Sequence, residues 1–205
     1  MAPLCIEVAD APSTAAFRAD QAIAGPAGEI LKNTQGVVKV YYGLQFEEEK
    51  HVYVCNVWER LDDHRRLQAD AVAYPLLGKA CAQFMAGGSR IVHIYPTSEP
   101  YGALAAPATE LAYVTVKPGQ SKEKVDEYGA ALMALMNGLP ESYGVRTAVW
   151  GQTEENPNTI AFVIGWTSVE AHFNTVKTHP EAIRLLTELR EIADITLSHA
   201  ELKAY

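Results

Sequence analysis

The chain is 205 residues long, 48% hydrophobic and 20% charged, with a formal net charge of −8. That balance is ordinary for a globular protein, and the acidic excess argues against a surface built for nucleic-acid phosphates, which concentrates Lys and Arg. No apolar run reaches the roughly 18 residues of a membrane span.

The three cysteines, Cys5, Cys55 and Cys81, are far apart and form no CxxC. A disulfide framework and a structural zinc site are therefore not expected. The N-terminus, MAPLCIEVAD, has no basic region of the kind that opens a signal peptide. The expectation is a cytoplasmic protein with reduced thiols.

The first element is a strand, LCIEVA, followed by a helical stretch. The strand GVVKVYYG comes next, then a polar turn at FEEEKH and a third strand ending at Trp58. A second helix and the strand RIVHIYP close the half. TSEPYGALAAPAT, rich in Pro, Gly and Ala, reads as a linker. The order then repeats. ELAYVTVK is a strand. GQSKEKVDEYGAALMALMNG is a helix with Ser121 as N-cap and Val125, Tyr128, Leu132 and Leu135 at helical spacing. Gly138 and Pro140 stop it. The strand GVRTAVWG, the turn QTEENPNT, a strand ending at Trp166, a second helix and the strand ITLSHAEL complete the half.

The likeness of the halves is positional. One offset lays Gly36 on Gly144, Trp58 on Trp166 and His64 on His172, so WERLDDH matches WTSVEAH. The register then slips, and Tyr74-Pro75 meets His179-Pro180. A βαββαβ order, twice, is the ferredoxin-like pattern. The predicted fold is α+β, with repeats at 1–97 and 109–205 and a linker at 98–108. Both faces of each sheet carry apolar side chains, so both need cover. Two fused copies can provide it by forming an intramolecular dimeric α/β barrel, which leaves the chain a monomer or a homodimer.

The tandem unit, the Trp-to-His turn into the second helix and the His-Pro further along resemble the dimeric α/β-barrel superfamily, and within it antibiotic-biosynthesis-monooxygenase-type domains in the fused form known from fungal proteins. The resemblance covers nearly the whole chain. It implies the fold well and the chemistry only loosely, because the superfamily includes cofactor-free monooxygenases, cyclases, isomerases, haem enzymes and stress-response proteins.

The candidate catalytic residues are His179, His172, His93 and His64. An imidazole suits proton transfer near neutral pH. His64 and His172 recur in both halves, as fold-marking residues do, whereas His179 faces only Tyr74. His179 and Tyr74 each precede a proline, which disfavours the α conformation there, so each is expected at a break between two short helices with Pro180 or Pro75 at N1 of the second. The resemblance implies that they sit at the mouths of the two pockets. It also implies that a His on the last strand, His93 or His199, belongs to an acid/base apparatus. Tyr42, Trp58, Trp150 and Trp166 could fill the sheet–helix layer or stack on a flat substrate. Asn56 shares a strand face with Trp58 and, by the resemblance, could hold a phenol. No HxH, HxxxH or HExxH occurs and acidic residues do not cluster with the histidines in sequence, so neither a metal nor another cofactor is expected. The expected function is cofactor-independent chemistry on a small aromatic or polyketide-like molecule: monooxygenation, cyclisation or elimination started by a histidine. The alternatives are a non-catalytic binder of small hydrophobic ligands or a haem protein.

Overall fold

The computed structural model describes residues 4–47 and 51–205. Residues 1–3, part of the N-terminus expected to lack a signal peptide, lie outside the described residues, as do residues 48–50 of the expected FEEEKH turn. The chain divides into two compact units, Met1–Tyr95 with Glu201–Tyr205, and Pro96–Ala200.

The first unit runs β1 (Cys5–Pro12), α1 (Ala15–Ala19), a 3₁₀ turn at Gln21–Ala24, α2 (Gly25–Lys32), β2 (Val37–Gln45), β3 (His51–Trp58), α3 (Leu61–Ala69), α4 (Ala73–Cys81) and β4 (Arg90–Pro96). The second runs α5 (Tyr101–Leu104), β5 (Ala108–Val116), α6 (Lys122–Gly138), β6 (Val145–Thr153), β7 (Thr159–Trp166), α7 (Val169–Thr178), α8 (Pro180–Ile192) and β8 (Ala193–Ala204). The βαββαβ order is present in both. Within the first unit the strands pair antiparallel as β4-β1-β3-β2, and within the second as β8-β5-β7-β6. Residues expected as a linker form α5, whose Ala103 and Leu104 are buried. Among the described residues no helix is long and apolar enough to cross a membrane.

The repeated features share a geometry. Gly36 and Gly144 have φ of +88° and +80°, a region that disfavours a side chain. The carbonyl of each accepts from the residue after the repeat's Trp, Glu59 at 2.7 Å and Thr167 at 2.8 Å. A register shift follows at Val37/Lys39 and at Val145/Thr147.

Each sheet packs one face on helices. In the first unit Cys5, Ala9, Ala11, Val52, Val54 and Trp58 form a core with Phe17, Leu31, Leu67 and Leu77. In the second, Ala112, Val114, Ile160, Phe162 and Trp166 meet Val125, Leu132, Met136, Leu185 and Leu189. The opposite faces are dry as well: Ile6, Val8, Cys55 and Val57 are buried in one unit, and Leu111, Val149 and Val163 in the other.

Helix ends follow local chemistry. Ser121 caps α6, its Oγ accepting from Lys124 N–H at 3.2 Å. His179 caps α8 with Pro180 in the first turn. The break expected at Tyr74–Pro75 lies earlier instead. The Asp70 carboxylate accepts from the N–H groups of Val72 and Ala73, both at 2.8 Å, which holds its pKa below the ordinary carboxylate value. Tyr74 is thus inside the first turn of α4. Pro75 is tolerated there because first-turn N–H groups need no helical partner.

Gly43 on β2 makes the tightest backbone approach. A Cβ there would lie 1.8 Å from the Glu201 carbonyl oxygen. Gly43→Ala must push Glu201, a residue of the same unit, away and should cost about 3 kcal/mol. Gly78→Ala, on α4 with nothing within 4 Å of the added atom, should gain about 0.5–1 kcal/mol. Urea unfolding of both variants checks the pair; equal effects would show that the Gly43–Glu201 contact is not rigid.

Candidate functional site

His64 and His172 each occupy the fourth position of their helix, α3 or α7, so each side chain returns over the sheet at the end of the first turn. There it meets the Trp that ends the preceding strand. Trp58 stacks on His64 with ring centroids 5.0 Å apart, and Trp166 stacks on His172 at the same separation.

The partners come from the central and last strands. In the first unit His64 Nδ1 lies 2.7 Å from His93 Nε2. His64 Nε2 is 3.6 Å from Glu7 Oε1. The other oxygen of Glu7 accepts from Trp58 Nε1 at 2.8 Å and from Asn56 Nδ2 at 3.0 Å. In the second unit His172 Nδ1 lies 2.7 Å from His199 Nε2 and 3.6 Å from Glu110 Oε2. That oxygen accepts from Trp166 Nε1 at 2.8 Å. Strand register makes these meetings obligatory: Glu7 stands opposite Asn56 and His93, and Glu110 opposite Ile164 and His199.

Glu7 and Glu110 are the residues that sequence reasoning missed. The observation that acids do not cluster with histidines holds along the chain and is corrected in space. The available signal was a single carboxylate in each otherwise apolar first strand, LCIEVA and ELAYVTV, with a parity that turns it toward the helices.

Both clusters open on cavities of the sheet–helix layer. The second unit's, about 250 Å³, is lined by Glu110, Trp166 and His172 with Leu132, Met136, Phe162, Ile164, Phe173, Leu186, Lys177 and Arg190. The first unit's, about 160 Å³, is lined by Glu7, Asn56, His64, Tyr74, Cys81, Met85, Ser89 and Ile91. The structure therefore gathers Asn56, Trp58, His64 and His93 in one unit, with Tyr74 on the cavity wall, and Trp166, His172 and His199 in the other. Tyr42, Trp150 and His179 line neither of these cavities. Tyr42 packs between Phe17 and Tyr205, with centroids at 6.4 and 6.5 Å. Trp150 packs on the second core. His179 Nδ1 accepts from Ala182 N–H at 3.4 Å, and its ring meets Tyr143 edge-on at 5.4 Å.

Electrostatics separate the candidates. Burial first, then the neighbouring His199 and Arg190, lower the His172 pKa to about 3, so the ring is neutral at pH 7. Its Nδ1 is committed to His199, which leaves Nε2 for a ligand. Cys81 is a poor nucleophile, since burial and Glu7 raise its thiol to about 11.

Among the described residues, the group whose donor atoms could hold a metal ion is Glu110, His172 and His199, with atoms within 4.8 Å of one another. An ion there would have to displace the proton shared by the two imidazoles, whose nitrogens stand at hydrogen-bond distance.

No protein-family model matches the chain. No curated protein matches it either. Solved structures do. A presumed monooxygenase of Fusobacterium nucleatum aligns over 99% of this chain and 94% of its own, with TM-score 0.72 and 11% identity. One from Lactobacillus acidophilus aligns over 98% and 95%, with TM-score 0.68 and 14% identity. An anthrone oxidase-like protein aligns over 98% and 93%, with TM-score 0.67 and 11% identity. At these identities the likeness shows the fold: α+β, with two ferredoxin-like repeats in one chain.

Proposed function

We propose that the second unit carries out cofactor-independent oxygenation of a small aromatic or polyketide-like molecule. The observation that carries this reading is the Glu110–His172–His199 array opening on an apolar cavity of about 250 Å³. Likeness in fold to presumed monooxygenases and to an anthrone oxidase-like protein supports it.

Phe162, Phe173, Leu132 and Met136 offer a flat substrate an apolar slot. A phenol or an activated CH₂ group at His172 Nε2 gives up a proton there. With a pKa of about 3, His172 holding an extra proton at pH 7 would cost about 5 kcal/mol. A relay avoids that cost. As Nε2 takes a proton, Nδ1 passes its own across the 2.7 Å contact to His199, and His172 stays neutral. The Glu110 carboxylate, anchored by Trp166, favours the positive charge as it moves. The substrate carbanion then bonds to one atom of O₂. The hydroperoxide loses water, so CH₂ and O₂ become C=O and H₂O without an external reductant.

The first unit is a smaller cavity with an acceptor in its wall: Asn56 Oδ1 is buried and, among the described residues, has no hydrogen-bond partner. We read it as a ligand-holding site. Oxygen uptake with anthrone tests both readings. The wild type should consume one O₂ per quinone formed, His199→Ala should lower the rate at least about tenfold, and His93→Ala should leave it unchanged. Uptake no faster than without protein sinks the oxygenase reading, and consumption of a poly-β-keto ester without O₂ would replace it with cyclisation.

A further inference from the structure

The two cavities are built largely from corresponding positions, and their difference in charge falls at one rim. In the register that lays His179 on Tyr74, Leu186 falls on Cys81 and Arg190 on Met85, and all four line their respective cavities. In the register that lays His172 on His64, Lys177 falls on Ala69. The second cavity therefore carries two cations at positions where the first unit has Ala69, which does not line its cavity, and Met85, which does.

Neither cation is neutralised by its own unit. Arg184, also on α8, is held by Glu181 at 2.6 Å and Glu188 at 2.8 Å. Among the described residues Lys177 and Arg190 have no carboxylate partner. Lys177 lies 5.4 Å from the Phe173 ring centroid, over an aromatic that also lines the cavity. Arg190 is close enough to His172 to contribute to its lowered pKa, so its charge is felt inside. The cavity's acid, Glu110, is turned to Trp166 and His172 and is buried, whereas both cations stand exposed at the rim.

We propose that Lys177 and Arg190 select a substrate bearing an anionic group, an aromatic or polyketide carboxylate, by pairing with it at the rim while its apolar body fills the slot. This rests on reading the second cavity as the substrate pocket. Both cations remain at the surface, so each pairing is screened and modest alone. Two converging on one carboxylate give a useful preference.

Calorimetry with 2-naphthoate and its neutral isostere 2-naphthamide tests the idea. The wild type should bind naphthoate about tenfold more tightly than naphthamide at low salt, and the preference should shrink at 0.5 M NaCl, where the Debye length falls from about 10 Å at 0.1 M to about 4 Å. Each of Lys177→Gln and Arg190→Gln should weaken naphthoate about threefold, and the double variant should bring the two probes level, with naphthamide unmoved throughout. Arg184→Gln should keep the preference. Equal binding of both probes by the wild type, binding of neither, or a preference that survives the double variant overturns the proposal. A naphthoate preference without oxygen uptake from any phenolic substrate would remove the oxygenase reading and leave anion selection standing. Uptake from neutral anthrone without that preference would do the reverse.

Discussion

His172→Gln is expected to lower turnover at least about a hundredfold and, in the same protein, to remove about one proton from the pH dependence of folding. The two effects share a cause. In the folded chain His172 has a pKa lowered to about 3, chiefly by burial, whereas an unfolded histidine sits near 6.5. Between those values the unfolded chain binds a proton that the folded chain refuses, so stability rises with pH across that window and is lost as pH falls from 6.5 toward 3. The slope is about 1.4 kcal/mol per pH unit. Glutamine can still bond His199 and has nothing to titrate. Urea unfolding at pH 4, 5, 6 and 7 should therefore give a wild-type slope steeper than the variant's by that amount. Parallel slopes would mean that His172 takes its proton normally in the folded state, and the relay through His199 would lose its motive.

The residues that were legible in the sequence are those whose role is set by near neighbours in the chain. The Trp-to-His turn was legible because the helix start fixes where the fourth residue points, and Ser121 and His179–Pro180 because capping is a local affair. Tyr74–Pro75 misled because a proline is compatible with any place in a first turn, and Asp70 had already supplied the cap. The carboxylates were not legible as site residues for a different reason. Glu7 lies far in sequence from Trp58 and His93, and only strand pairing brings the three together. Duplication was informative in an unexpected direction. His64 and His172 looked like marks of the fold because they recur, yet each lies at the centre of a cluster whose carboxylate, Trp and second His also recur. What differs between the clusters is the wall: Asn56 against Ile164, and Met85 against Arg190.

Glu110→Gln should separate stability from activity. Its oxygen accepts from Trp166 Nε1 at 2.8 Å, and a glutamine carbonyl can accept the same bond. What disappears is the buried charge and its 3.6 Å interaction with His172. A carboxylate in this position gives up much of its hydration, and part of that penalty is recovered only when a positive charge forms beside it. The variant should unfold at the same urea concentration or be more stable by about 1 kcal/mol, while turnover drops about tenfold or more because the moving proton has lost its counter-charge. Glu110→Ala should behave differently. It strands the indole N–H of a fully buried Trp166 and opens space, at about 3 kcal/mol. Adding Trp166→Phe to it removes the stranded donor and should recover about 1 kcal/mol of that loss. Glu7→Gln supplies the control. It makes the equivalent change beside Trp58 and Asn56, so it should match Glu110→Gln in stability and leave turnover untouched. If Glu7→Gln lowers the rate as much as Glu110→Gln does, the working pocket is in the first unit and the divergence at Arg190 marks the site that lost its chemistry.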